Sequence, residues 1–191
     1  ARAQGRGKRT ADQAGAEHHH PHRPALAMRA LRSGTLASVL STIAITLFSR
    51  GHSGAAAAGT NATSQWFWYP RARHVRRPSP RYTLAGYAIH HASSLWWACG
   101  FELLAPHRAS PRGRAMRAAG IAALAYVVDY HVVPRRLSPG FEERIGGAGV
   151  CAAYAAFALG LYFGSRRAHV RVGRDRAPAI RGRPGARSPD R

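Results

Sequence analysis

The chain has 191 residues, 46% of them hydrophobic, and its formal net charge is +21. A soluble globular protein rarely combines these two values, and here Lys and Arg lie in blocks at both ends and between long apolar runs. Nucleic-acid-binding proteins are often this basic, but the apolar runs and the lack of a zinc, RNP or helix-turn-helix signature argue against that class, so we expect no nucleic-acid partner.

Four apolar runs predict the fold class, which is all-α: a polytopic membrane helix bundle of four transmembrane helices with basic disordered tails. The predicted membrane domain is residues 29–164, and the predicted tails are residues 1–28 and 165–191. The predicted spans are, approximately, residues 33–48, 82–104, 118–133 and 145–163. Because Met28 stands just ahead of the first run, we hypothesise that the functional chain begins there and that the preceding residues are not native.

The first run, residues 33–48, is short for a transmembrane span, so its flanking arginines would have to extend toward the headgroups. A cleaved signal peptide is the alternative, because residues 55–57 offer a cleavage site after a basic start. Small side chains at every fourth position favour close packing against another helix, and a cleaved segment would not need them. These residues are Gly34, Ser38, Thr42 and Thr46.

The first loop, residues 49–81, carries an aromatic cluster. Trp66, Trp68 and Tyr69 are of the types that favour the membrane interface. The arginines that follow can bind anionic lipid headgroups, so the bilayer and these headgroups are the predicted partners. They are Arg71, Arg73, Arg76 and Arg77. We predict an interfacial re-entrant segment or a short surface helix here.

Ser-Pro pairs precede the other three apolar runs. Serine is a preferred N-cap residue and proline suits the first helical position, so each pair predicts the start of a helix. The pairs are Ser79-Pro80, Ser110-Pro111 and Ser138-Pro139.

The last apolar run also has small residues at every fourth position. This pattern predicts a tight helix contact, either within the bundle or between two copies of the chain, and so allows a homo-oligomer through this helix. The residues are Ala148, Ala152, Ala156, Gly160 and Gly164.

The distribution of Lys and Arg predicts the topology. They are more numerous in the two tails and the second loop than in the first and third loops, which places both termini in the cytoplasm. The Ala- and Arg-rich composition indicates a bacterial source, so the predicted location of the four spans is the bacterial inner membrane. Cys99 and Cys151 lie at different depths of different spans, so we expect no disulfide.

Polar side chains at the middle of the bilayer are costly and often functional. His90 and His91 in the second span and Asp129 in the third are predicted at similar depths, so a buried His–Asp pair is available there. Tyr87 and Tyr130 could extend its hydrogen bonds. This polar centre predicts small-solute or proton handling, since histidine titrates near neutral pH. The alternatives are hydrogen bonds that only join helices and a non-catalytic structural or partner-binding subunit.

Other chemistry has weaker support in the sequence. Glu102 lies near the cytoplasmic boundary, where we expect headgroup water to solvate it. Haem b between His91 and His131 is an alternative, although their predicted depths differ. No soluble-type catalytic motif is present, so we favour a non-enzymatic protein and expect no resident cofactor. A metal ion could bind weakly to four histidines of the N-terminal tail, His18, His19, His20 and His22.

Three segments resemble those of a group of small, uncharacterised bacterial inner-membrane proteins. They are GYAIHHASSLWWA at residues 86–98, DYHVVPRRLSPGFE at residues 129–142, and an Asn-Ala-x-Ser-x-Trp pattern at residues 61–66. The resemblance covers roughly residues 29–164. It implies four spans and a bacterial source, and it implies no activity.

Overall fold

The computed structural model describes residues 23–105 and 110–166. These residues contain helices and no strands, which confirms the all-α prediction for this part of the chain. The α-helices are α1 Arg23–Ser53, α2 Ala58–Thr63, α3 Gln65–Trp68, α4 Ala85–Leu103, α5 Pro111–Val127 and α6 Glu142–Gly164. There are also a 3₁₀ turn and two π-helical turns, Arg71–His74, Pro80–Leu84 and Val128–Val132. The predicted N-terminal tail up to residue 22 and C-terminal tail from residue 167 lie outside the described residues.

Two of the described helices are long and apolar enough to cross a membrane, Ala25–Ser53 and Glu142–Gly164. Length and composition alone are a weak indication of a membrane protein. The two other predicted spans correspond to α4 and to α5 with its π-helical turn. Arginines in the first turns of α5 and the histidine pair in α4 lower the hydropathy of these helices.

Helices α1 and α6 form the centre of the bundle, with α4 packed against α1 and α5 against α6. Gly160 allows α1 and α6 to approach closely, since a Cβ atom there would lie 2.2 Å from Cα of Ala37. At Gly164, one turn further along, a Cβ atom would lie 2.5 Å from Cα of Ser33. One end of the small-residue stripe therefore packs within the chain, whereas Ala148 at the other end is exposed.

The other residues of the two predicted stripes have mixed environments. Ala152 and Ala156 are half-buried on α6. On α1, Gly34 faces α4, and a Cβ atom there would lie 2.8 Å from the nearest α4 side-chain atom. Ser38 is buried and Thr42 half-buried, and the hydroxyl groups of both have no hydrogen-bond partner among the described residues.

Replacing Gly160 by Ala is expected to lower the free energy of unfolding by about 3 kcal/mol, at the upper end of the usual cost of overpacking, because the added methyl group meets backbone atoms that cannot rotate away. Gly120→Ala is the matched control, since a Cβ atom there would meet nothing within 4 Å. Unfolding of the purified protein by sodium dodecyl sulfate measures the difference. Equal stability of the two variants would contradict the close α1–α6 contact.

Two of the three Ser-Pro pairs mark helix starts. Ser110 caps α5 as predicted, because its hydroxyl oxygen accepts a hydrogen bond from the backbone N–H of Gly113 at 3.0 Å. The π-helical turn that leads into α4 begins at Pro80, although Ser79 makes no side-chain cap. The third prediction is wrong: α6 begins at Glu142, and the Ser138 hydroxyl instead donates to the carbonyl of Arg135 at 2.9 Å.

The first loop folds into the bundle as a cap over one end, and we use the cap to mean residues 58–68. Every residue of α2 is buried, and α2 lies against α1, α4 and α6. Gly86 of α4 allows this contact, because a Cβ atom there would lie 1.9 Å from the carbonyl oxygen of Thr60. Helix α2 is therefore not the short surface helix that is one of the two predictions for this loop, and the re-entrant alternative stays a prediction.

Two buried carboxamides fix the cap in place. The Asn61 side chain donates to the carbonyl oxygens of Val75 and Arg77 at 3.0 and 2.9 Å and accepts from the Thr83 hydroxyl at 2.6 Å. The Gln65 side chain donates to the carbonyl of Ser138 at 2.7 Å. The cap is thus joined to the segment that leads into α4, residues 75–83, and to the α5–α6 loop, residues 133–141.

The three predicted interfacial aromatic residues lie at the end of the cap, Trp66 and Trp68, and directly after it, Tyr69. Trp66 is 36% exposed, and its indole N–H donates to the carbonyl of Leu137 at 2.9 Å. Trp68 is half-buried beneath the guanidinium of Arg81, which lies 4.7 Å from the ring centroid. Tyr69 is 44% exposed.

Part of the arginine cluster binds protein rather than facing outward. Arg73 is buried and forms ion pairs with Glu142 and Glu143 at the start of α6, at 3.2 and 2.5 Å. Arg76 donates to the carbonyl of Ser53. Buried Arg73 therefore does not face outward, whereas Arg76 is exposed and its contact with lipid headgroups stays a prediction. Arg71 and Arg77 are exposed.

Cys99 and Cys151 are exposed and free, and they form no disulfide with each other.

Candidate functional site: a capped cavity between the helices

The candidate site is a cavity of about 60 Å³ beneath the cap, between α1, α4, α5 and α6. On this measure a water molecule needs about 10–15 Å³, so the cavity has room for a few waters or one small solute. The side chains that offer hydroxyl, imidazole or carboxyl groups to it come from α1, the cap, α4, the π-helical turn after α5, and α6. They are Ser41, Thr63, His90, Ser93, Ser94, Asp129 and Tyr154.

His90 is held from the α1 side. Its Nε2 atom lies 2.8 Å from the hydroxyl oxygen of Ser41. That hydroxyl also lies 2.7 Å from the carbonyl of Ala37, which can only accept. Because serine has one hydroxyl hydrogen, donation to Ala37 leaves His90 as the donor through Nε2–H. The Nδ1 atom has no hydrogen-bond partner among the described residues and remains available to a solute.

Asp129 is held from the α6 side. It lies in the π-helical turn Val128–Val132, and such turns frequently occur at functional sites. The Tyr154 hydroxyl donates to its Oδ2 atom at 2.6 Å, a short, charge-assisted geometry when the carboxyl is ionised. The other carboxyl oxygen, Oδ1, has no partner among the described residues.

The predicted His–Asp pair is thus arranged differently from the expectation. His90 bonds to Ser41 and Asp129 bonds to Tyr154, yet both side chains line the same cavity. Water or a solute in the cavity could contact both groups.

The other predicted members of the polar centre are not in the cavity wall. The His91 ring stacks on Tyr87 at 5.7 Å between ring centroids, and its Nδ1 atom is buried without a partner. Tyr130 packs edge-on against Tyr154, and its hydroxyl is also buried without a partner. His131, the proposed second haem ligand, is exposed and packs against Tyr126. The described residues contain no cluster of three or more His, Cys, Asp or Glu side chains with metal-binding geometry, and haem binding stays a prediction.

On the side of the cavity away from the cap, a layer of apolar side chains fills the bundle. This side is the end at which α1 begins. Phe101, Phe157 and Leu161 are buried in this layer. Beyond this layer, Glu102 is buried and pairs with Arg29, whose Nε lies 3.7 Å from its carboxyl oxygen. The expected solvation of Glu102 by headgroup water is therefore wrong. The cavity and this ion pair lie at opposite ends of the apolar layer.

Sequence reasoning missed two direct partners in the site, Ser41 and Tyr154. Ser41 could have been found from the spacing of Gly34, Ala37, Ser38 and Ser41, which places small residues three and four apart on one helix face. Tyr154 carries no comparable signal, since an aromatic residue in an apolar run is ordinary packing material.

Comparisons of the chain with family models, with curated proteins and with solved structures give no match. The resemblance to small bacterial inner-membrane proteins therefore stays a prediction. The three segments that carry it nevertheless meet at one place. The cavity wall includes Thr63 and Trp66 from the first segment, His90 from the second, and Asp129 and Phe141 from the third.

Proposed function

We propose that the protein is a four-span bacterial inner-membrane protein, with both termini cytoplasmic, that handles a small solute or protons through the capped cavity. The observation that carries this proposal is the presence of His90 and Asp129 in one wall, each with an unpaired polar atom. Polar groups of this kind are expensive at membrane depth, and a buried ionisable residue there is a functional candidate.

The inner end of the cavity is closed by apolar side chains, which limits how a solute or proton could cross the membrane. The cap and the α5–α6 loop lie at its outer end, and the apolar layer of Phe101, Phe157 and Leu161 closes the inner end. The side chains of this layer have no hydrogen-bond donors or acceptors, so they cannot support a continuous chain of hydrogen bonds across it. Transfer across the membrane therefore requires this layer to open, while binding at His90 and Asp129 does not.

A flux assay tests the proposal. The protein is reconstituted in vesicles that contain a pH-sensitive dye, and an imposed membrane potential drives protons inward. We expect Asp129→Asn to reduce the protein-dependent flux at least tenfold, because the neutral amide cannot take up a proton, while expression remains unchanged. Flux equal to that of the unmodified protein would exclude proton handling by Asp129.

The histidine pair provides a matched comparison. His90→Ala removes a group that lines the cavity, whereas His91→Ala removes a neighbouring ring that stacks on Tyr87. We expect His90→Ala to lose most of the flux and His91→Ala to retain it. The reverse order, or equal effects of the two substitutions, would contradict the assignment of the cavity as the site.

A non-catalytic structural or partner-binding subunit is the second candidate. Gly160 and Gly164, at one end of the α6 stripe, already pack on α1. The rest of the stripe supports this candidate, since Ala148 is exposed and Ala152 and Ala156 are half-buried. On this proposal Ala156→Leu disrupts a homo-oligomer, and an unchanged mass by light scattering in detergent would count against it.

A further inference from the structure

Five of the sixteen described residues that line the capped cavity are aromatic. Trp66 reaches it from the cap, Trp97 from α4, and Phe141, Tyr154 and Phe157 from the α5–α6 loop and α6. The faces of aromatic rings carry partial negative charge and attract cations, and enclosures of several rings recognise alkylated ammonium groups.

Among the described residues that line the cavity, Asp129 is the one with a carboxyl group, and none is Lys or Arg. This is unexpected on composition, because Lys and Arg outnumber Asp and Glu by 29 to 8 in the chain. Arg73, at the capped end of the bundle, does not line the cavity and instead pairs with Glu142 and Glu143.

Asp129 and His90 both offer hydrogen-bond acceptors to a solute. The Asp129 carboxyl already accepts one hydrogen bond, from Tyr154, and its second oxygen can accept another. The Nδ1 atom of His90 is an acceptor when Nε2 donates to Ser41. Two acceptors and an aromatic wall are complementary to a ligand that has N–H donors, positive charge and a small apolar part.

We propose that the solute of the capped cavity is a small organic cation, bound by its ammonium group to Asp129 and enclosed by the aromatic rings. This inference rests on the proposed function and specifies its substrate class. A cavity of about 60 Å³ sets the size at a few non-hydrogen atoms, which suits a short alkylammonium ion.

Binding of radiolabelled methylammonium to the purified full-length protein in detergent tests this inference. We expect saturable binding that Asp129→Asn weakens at least tenfold. Trp97→Leu should weaken it several-fold because the ring is lost, whereas Trp97→Phe should largely preserve it. His91→Ala should have no effect.

Two competitors separate the charge from the aromatic wall. Methanol has the same number of non-hydrogen atoms and no charge, and sodium has charge and no apolar part. Both should compete at least tenfold less well than unlabelled methylammonium. Equal competition by methanol would overturn the recognition of charge, and equal competition by sodium would overturn the role of the rings.

The flux assay distinguishes failure of this inference from failure of the proposed function. If methylammonium does not bind while proton flux still depends on Asp129 and His90, the organic-cation inference is wrong and the proposed function stands. If neither binding nor flux is found, both are wrong.

Discussion

Replacing Gly86 by Ala is expected to prevent the cap from docking on α4. A Cβ atom at this position would lie 1.9 Å from the carbonyl oxygen of Thr60, and the oxygen belongs to backbone that a rotamer change cannot move. Overpacking of cores usually costs about 1–3 kcal/mol, and a contact between two backbones belongs at or above the upper end of that range. We expect the purified variant to lose its cooperative thermal transition or to show it about 6–12 °C lower, as about 3 kcal/mol would produce in a chain of this size.

Gly100→Ala is the matched control for this change. Gly100 lies on the same helix, and a Cβ atom there would meet nothing within 4 Å. Alanine also favours helix over glycine by about 0.5–1 kcal/mol, so the control should be as stable as the unmodified protein or more so. Equal transition temperatures for the two variants would show that the cap does not lie against α4.

Asn61→Asp is also expected to destabilise the folded protein strongly. The substitution keeps the shape of the side chain but replaces the N–H groups that bond to Val75 and Arg77 with an oxygen that faces two carbonyl oxygens. Each buried group left without a partner costs about 1–3 kcal/mol. We therefore expect the free energy of unfolding to fall by about 2–6 kcal/mol for the two carbonyl groups, measured by denaturation with sodium dodecyl sulfate.

Two comparison variants identify the cause of that loss. Thr83→Ser keeps the hydroxyl that donates to Asn61 and should leave stability nearly unchanged. Asn61→Ala removes the same hydrogen bonds without adding repulsion, so it should be no worse than Asn61→Asp. An Asn61→Asp variant as stable as Thr83→Ser would contradict the role of Asn61 in fixing the cap.

Helix positions could be predicted from the sequence because apolar runs and start signals act locally. Residues 82–104 contain α4, and α5 begins at Pro111 with Ser110 as its cap. The burial of the first loop could not be predicted in this way. Its aromatic and basic residues suit a membrane surface equally well, and only the contacts of Asn61 and Gln65 with distant backbone groups distinguish the two placements.

The small-residue stripes show where a spacing rule fails. An α-helix has 3.6 residues per turn, so each step of four residues rotates the position by about 40°. From Ala148 to Gly164 the four steps accumulate about 160°, which places the two ends on nearly opposite faces. This rotation explains why Ala148 is exposed while Gly164 packs on α1.

The polar centre was accessible to sequence reasoning in part. Depth along a helix follows from residue position, so His90 and Asp129 could be predicted to lie near the same level. Rotation of each helix about its axis depends on packing with distant helices. That rotation turns His90 toward Ser41 and the cavity, while the neighbouring His91 stacks on Tyr87.

Reactivity of two neighbouring cysteines with silver ion tests the central claim most directly. In a chain whose native cysteines are replaced by alanine, Ser93→Cys places a thiol in the cavity wall and Ala92→Cys places one on the exposed face of α4, which faces lipid in the proposed four-span arrangement. Silver ion is small, dissolves in water and is excluded from hydrocarbon. In proteoliposomes we expect silver to block the thiol at position 93 and to spare that at position 92, as counted with a maleimide after unfolding. A thiol at position 93 that is as unreactive as that at position 92 would contradict a water-accessible cavity at His90 and Asp129.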